Sequence, residues 1–190
     1  MKGSVPTVVA DTNVLLNLAL PVVDSRDVAP NGGDPLQTFL TVYDVHVPSS
    51  VLGEIGDASQ SDDLLAAAAD LVLLSSSHLT THDVDTDLEQ PLEYGLDRGE
   101  SHGIWLTNEL AARMFVTDEF NSTNYLLVSL ALEDRNKLFT TPHVLCWLAS
   151  QSVLDAGYVD ALLSYYVDTK GWDRGYVQVL REQYLRDRDR

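Results

Sequence analysis

An apolar strand pattern, Thr7-Val8-Val9-Ala10, runs directly into an acid, Asp11, followed by Thr12-Asn13 and an apolar helix-like stretch over residues 14–18. No other feature constrains the fold as much. It presents a carboxylate at the carboxyl end of a buried strand, where open α/β sheets place ligands and chemistry. The rest of the chain alternates in the same way. Strands are expected near residues 7–10, 45–47, 71–74, 113–116 and 137–139, with helical patterns between them. That alternation is the signature of a parallel sheet covered by helices. The expected fold class is α/β: a three-layer α/β/α arrangement with a central parallel sheet of about five strands and extra C-terminal helices.

Helix starts are marked by Asp34-Pro35 before Leu36, by Ser49-Ser50 before Val51 and by Thr141-Pro142 before Val144, a cap followed by proline in two of the three. Gly157 and Gly171 read as helix stops. The last third is helical by apolar spacing: Val144, Leu145, Leu148; then Val159, Leu162, Leu163, Tyr166; then Tyr176, Val177, Leu180, Tyr184. Two stretches read as insertions. Residues 22–34, with Asp24, Asp27, Pro30 and Asn31-Gly32-Gly33, are expected to be a mobile flap near the first strand end. Residues 80–94 form an acidic loop, and Asp83-Val84-Asp85-Thr86-Asp87 is like the start of a calcium loop. Leu88 stands where the loop glycine belongs and Tyr94 where the closing glutamate belongs, which argues against calcium.

One compact domain fits 190 residues of 45% hydrophobic content. Residues 1–148 are expected to carry the chemistry and residues 149–190 to be a helical extension packed on the same domain. The lone Cys146, inside an apolar helix pattern, excludes a disulfide framework and a zinc cluster. No apolar run reaches the length of about 18 that would suggest a membrane span, and the start of the chain has no apolar signal core, so a cytoplasmic protein is expected.

Charge sets a puzzle. The chain carries 21 Asp and 8 Glu against 3 Lys and 9 Arg, a net charge of -17, which taken alone argues against a polyanionic ligand. At molar salt the Debye length shrinks to about 3 Å, so a polyanionic protein can still approach nucleic acid. The Asp-rich, Lys-poor composition fits a highly saline cytosol, a halophilic protein.

Three further acids stand in positions comparable to Asp11. Glu54 follows the strand ending at Pro48 and has Gly53 beside it, which would let another element approach. Glu100 begins a helix with Asp97 three residues earlier on the same face; Gly99 and Gly103 thin the neighbouring positions. Asp118 ends the strand Met114-Phe115-Val116 and repeats the geometry of Asp11, with Glu119 ranked behind it. Each acid also has a plainer reading. Asp11 and Asp118 can simply cap helices, and Glu54 can be a surface acid stabilised by a helix dipole. Taken together, four carboxylates on one crevice would be costly without a divalent cation. Asn13 and Thr117 are placed to orient the ligands. His102 is expected at the surface, and no glycine-rich phosphate loop follows the first strand. The arginines near the end, Arg174, Arg181, Arg186, Arg188 and Arg190, read as a solvated helix paired with Glu182, Asp187 and Asp189.

In order along the chain, Val9-Ala10-Asp11-Thr12-Asn13, Ser50-Val51-Leu52-Gly53-Glu54-Ile55, Leu96-Asp97-Arg98-Gly99-Glu100 and Thr117-Asp118-Glu119-Phe120 resemble the four acid motifs of the PIN-domain nucleases, over roughly residues 7–148. The resemblance implies a PIN-like α/β fold and a divalent-metal endoribonuclease for single-stranded RNA. Catalytic and metal-binding roles fall on Asp11, Glu54, Glu100 and Asp118, with Asn13, Thr117, Asp97 and Glu119 in the surrounding shell and Mg2+ or Mn2+ as cofactor. Toxin-type (VapC-like) members further imply a small antitoxin partner and a homodimer. Where the family often has a second Asp after the fourth acid and then a basic residue, this chain has Glu119 and the neutral run 121–124. That departure and the acidic surface favour the alternative of a catalytically silent PIN-like module binding RNA or protein through the same groove. A phosphatase with an aspartyl nucleophile is weaker, because Asn13 occupies the place of its general acid.

Overall fold

The computed structural model describes residues 5–24, 33–87, 96–118, 122–133 and 137–185, with backbone alone for 122–125. Five strands, β1 (Thr7–Ala10), β2 (Asp44–Pro48), β3 (Leu79–His82), β4 (Met114–Val116) and β5 (Leu138–Phe139), form one sheet in the order β3-β2-β1-β4-β5. Every pairing is parallel: Val8 lies opposite Val45 on one side and Met114 on the other, Val47 opposite Thr81, and Phe115 opposite Leu138. The helices are α1 (Thr12–Val23), α2 (Pro35–Val42), α3 (Ser49–Ala58), α4 (Leu64–Leu74), α5 (Val84–Asp87), α6 (Arg98–Glu109), α7 (Ser122–Ala131), α8 (Thr141–Ser150), α9 (Ala156–Lys170) and α10 (Arg174–Tyr184).

Alternation along the strands builds the three layers. Val8, Ala10, Val45, Val47, Met114 and Val116 point to one face and join a large core with buried residues of α1 to α4 and α8 to α10. Val9, Phe115 and Leu138 point to the other and pack with Ile104 and Leu106 of α6 and Val128 of α7. The period of two along a pleated strand requires this sorting. Cys146 and the apolar positions of α9 and α10, among them Val159, Leu162, Tyr166, Val177 and Leu180, belong to the larger core. α1 lies at its centre: eight of its residues, Thr12 and 14–20, are buried, and it packs against α2, α3, α4 and α8.

Part of the acidity is structural. Asp34, Asp63, Asp97, Asp155 and Asp173 each cap a helix, accepting the N–H of Gln37, Ala66, Glu100, Tyr158 and Tyr176 at 2.6–2.9 Å. These bonds satisfy N–H groups that the first turn leaves without partners, and a negative charge is favourable there.

Several expectations need correction. Residues 71–74 are the last turn of α4, not a strand: Val72 is fully buried while Leu74 is 83% exposed, the signature of a helical face. The third strand is instead β3, an edge strand of sequence Leu-Thr-Thr-His with a mostly exposed pattern. Residues 80–82 are thus strand rather than loop. The calcium-like run is a helical turn, α5, in which Asp83 accepts from the Thr86 hydroxyl at 2.8 Å and Asp85 is paired with Arg98. Gly157 does not stop a helix; it sits in the first turn of α9 behind its cap Asp155. Gly171 does terminate α9, in the left-handed conformation (φ 67°). Of the expected flap, Val22 and Val23 belong to α1 and residues 25–32 lie outside the described residues, as do residues 88–95 of the acidic segment.

Candidate active site

The chain builds β1, β2 and β3 outward in one direction, then returns to lay β4 on the other side of β1. The strand order reverses between β1 and β4, and such a switch point opens a crevice outside the carboxyl ends of the strands. Asp11 leaves β1 there, its N–H donating to the carbonyl of Val116 at 3.0 Å, and Thr117-Asp118 leave β4. Three helices, α1, α3 and α8, also begin at this edge, directly after β1, β2 and β5.

Asp11 is 9% exposed. Its Oδ1 accepts the N–H of Thr12 at 2.7 Å and its Oδ2 the hydroxyl of Thr117 at 3.1 Å. Burial raises its pKa from 3.8 to about 7; those two hydrogen bonds oppose the rise, and the negative charges of Glu54 and Asp97 add to it. Glu54 is brought beside Asp11 by Thr12, whose hydroxyl donates to Glu54 Oε2. It stands in the second turn of α3, where the helix dipole is weak, so a hydroxyl from the start of α1 rather than a dipole holds it.

Gly99 explains how α6 reaches this carboxylate. A Cβ there would lie 3.1 Å from Glu54 Oε1 and 3.6 Å from Asp97 Oδ1. Gly103 allows a similar approach in the next turn, where a Cβ would lie 2.6 Å from the ring of Phe115. Gly53, by contrast, has nothing within 4 Å of such an atom, so the close approach expected beside it does not occur. Asp97 caps α6, and Glu100, in the first turn of that helix, is 3% exposed.

Asp118 is held apart from this group. Its Oδ1 accepts the N–H of Thr141 at 2.8 Å; its Oδ2 accepts the Thr141 hydroxyl at 2.6 Å and Nδ2 of Asn17 at 2.7 Å. Burial raises its pKa, and these hydrogen bonds and the charge of Lys170 oppose the rise. The helix it braces is α8, not the one that follows it in sequence. Asn17 is fixed in turn by Tyr166, whose hydroxyl donates to the Asn17 carbonyl at 2.7 Å and whose ring stacks on Trp172 at 4.3 Å. Asn13 is exposed and lines a cavity of about 480 Å³ with Asn17 and Asp118.

Asp11, Glu54 and Asp97 are therefore neighbours, Glu100 is buried on the same helical turn as Asp97, and Asp118 is bonded instead to Asn17 of α1 and Thr141 of α8. Among the described residues no three His, Cys, Asp or Glu side chains are placed closely enough to hold one ion as they stand. The donor set itself suits a hard cation: carboxylate oxygens with a raised proton affinity, which a divalent ion would relieve. Glu119 lies outside the described residues. Sequence reasoning misses Thr12, Asn17 and Thr141. Asn17 carries a signal, a polar residue four positions after Asn13 within an apolar helix; the two threonines have none beyond their places after strands.

His102 is buried at 5% exposure rather than at the surface. Its Nε2 lies 3.5 Å from Asp85, its Nδ1 has no hydrogen-bond partner among the described residues, and burial lowers its pKa. Two histidines remote in sequence do meet: His46 Nδ1 and His82 Nε2 lie 2.8 Å apart across β2 and β3, and His46 Nε2 lies 3.1 Å from Asp44. Arg174 and Arg181 pair with Asp168 and Asp160 of α9 rather than with Glu182, and residues 186–190 lie outside the described residues.

Compared with protein-family models, curated proteins and solved structures, the chain has no match.

Proposed function

We propose that this protein is a divalent-metal-dependent endoribonuclease that cleaves single-stranded RNA, as its resemblance to the PIN-domain nucleases implies. The observation that carries the reading is the pairing of Asp11 and Glu54 through Thr12 at the switch point, with the Asp11 carboxyl raised to about 7 by burial and by neighbouring negative charge. A buried acid group of this kind is under electrostatic pressure to take up a cation. Mg2+ or Mn2+ bound here would neutralise charge on the attacked phosphate and lower the pKa of a water for in-line attack. Asp11, Glu54, Glu100 and Asp118 would hold it. The residues around them supply orientation: Thr117 and the Thr12 N–H fix Asp11, the Thr12 hydroxyl fixes Glu54, Asp97 fixes the first turn of α6, and Asn17 and Thr141 fix Asp118. The resemblance further implies 5′-phosphate and 3′-hydroxyl products, a cytoplasmic toxin, a small antitoxin partner and a homodimer. A saline cell interior would reconcile the net charge of -17 with an RNA substrate.

The direct test compares wild type with Asp11→Asn and Asp118→Asn for RNA cleavage with manganese in high salt. Loss of cleavage in both variants is expected, and equal cleavage by all three proteins rejects the assignment. One observation favours a second reading, a silent module that binds RNA or protein in the same crevice: both oxygens of Asp118 already accept hydrogen bonds that brace α8. Calorimetric titration with manganese separates the two, since the silent module need not bind metal.

A further inference from the structure

The crevice has a far wall that the four acid motifs do not supply. A cavity of about 480 Å³ opens beside Asp118 and is lined by Asn13 and Asn17 of α1, by Lys170 at the end of α9, and by Trp172 and Asp173 from the turn that follows. Gly171, in the left-handed conformation, turns the chain there, and Trp172 is anchored by stacking on Tyr166. Its indole is 8% exposed, so it sets the turn rather than offering a surface for stacking. Asp173 is occupied as the cap of α10.

That leaves Lys170, which is exposed and makes no ion pair within 4 Å among the described residues, its charge reaching Asp118 only from a distance, whereas Arg98, Arg174 and Arg181 are committed to Asp85, Asp168 and Asp160. A chain of net charge -17 repels a polyanion at long range, and salt that screens this repulsion also screens any long-range attraction. An RNA backbone can then be held only by short-range contacts. Resting on the ribonuclease reading, we propose that Lys170 is the residue that positions the RNA backbone in the crevice, donating to a phosphate oxygen next to the scissile one, with Asn13 on the opposite wall. The helical extension would thereby complete the substrate site.

The test follows cleavage of a dye-labelled single-stranded RNA oligonucleotide by the full chain with manganese across a KCl series. Lys170→Ala should raise KM about tenfold, the worth of a charge-assisted hydrogen bond, with kcat within about twofold. The plot of log kcat/KM against log salt should become shallower by about 0.7, one single-strand phosphate contact. Lys170→Arg should recover most of the loss, and Lys170→Glu should be worse than alanine. Tm of Lys170→Ala should equal that of wild type, and its manganese affinity should not fall, since the variant removes a positive charge near Asp118. Wild-type KM and salt slope in Lys170→Ala would overturn the role of Lys170 while leaving the nuclease reading intact, as would a parallel fall in Tm and manganese affinity, which would mark a merely structural lysine. A wild type that does not cleave, or an Asp11→Asn variant that cleaves equally well, would remove both.

Discussion

At the carboxyl ends of the strands the chain places Asp11, Thr12, Thr117 and Asp118, while at their amino ends Arg113 and Lys137 border a cavity of about 850 Å³ walled by Tyr43, Phe139, Trp147 and Tyr184. Buried layers cover both faces of the sheet, so the difference between the ends is not one of packing. It follows chain direction. In a parallel sheet the helices begin where the strands end, so α1, α3 and α8 turn their N–H ends to the carboxyl edge and their carbonyl ends away from it. The same directionality that suits carboxylates at one edge suits cations at the other. The roomier, more aromatic cavity is lined by Arg113 and Lys137 and by no carboxylate among the described residues, so it offers a metal ion no charged ligand, whereas the smaller crevice does.

The comparison breaks most visibly in cleavage. Asp11→Asn is expected to lower manganese-dependent kcat about 100- to 1,000-fold, while Arg113→Ala at the amino end should stay within about twofold of wild type; equal losses in steady-state assays would erase the distinction. Next comes proton linkage. Because the pKa of Asp11 rises from 3.8 to about 7 on folding, the native chain holds a proton between those values that the unfolded chain releases. This group's contribution to metal-free stability is therefore full below about pH 4 and is lost as pH rises through about 7, a change of a few kcal/mol. Asp118 shifts in the same direction. Urea titrations of metal-free protein at pH 5 and 8 should show the fall, and Asp11→Asn should reduce it; a flat profile would mean that the crevice is wetter than described.

Gly103→Ala should cost about 1–3 kcal/mol in urea denaturation, since its Cβ would meet the Phe115 ring at 2.6 Å, a clash larger than the helix propensity gained. The smallest effect belongs to the amino-end cavity. Tyr184→Phe removes the 2.7 Å hydrogen bond to His143 and should cost about 1 kcal/mol of stability without changing cleavage.

Much of this architecture is legible in the sequence, and the reasons differ by element. β1, β2, β4 and β5 are short apolar runs next to turn residues, so period and punctuation coincide. β3 cannot be found in this way: none of its four residues is fully buried, and Leu-Thr-Thr-His offers little apolar signal beside the stronger run at residues 71–74, which belongs to α4. The acids are visible because carboxylates after strands are conspicuous. Their supports are not, since the bonds from Thr12 to Glu54, from Asn17 to Asp118 and from Thr141 to Asp118 span 42, 101 and 23 positions. The burial of His102 is equally hidden, because a histidine between Ser101 and Gly103 says nothing about what packs over it.

α1 has one more consequence. Its opening turn follows Asp11 and carries Thr12, Asn13 and, a turn later, Asn17, yet the helix is enclosed by neighbours on nearly every side. Protein segments enclosed in this way open only when the whole molecule does. Warming should thus not loosen the reactive groups ahead of the rest, and the amides of residues 14–20 should exchange with heavy water only through global opening. Loss of chemistry and loss of structure would then share a single midpoint.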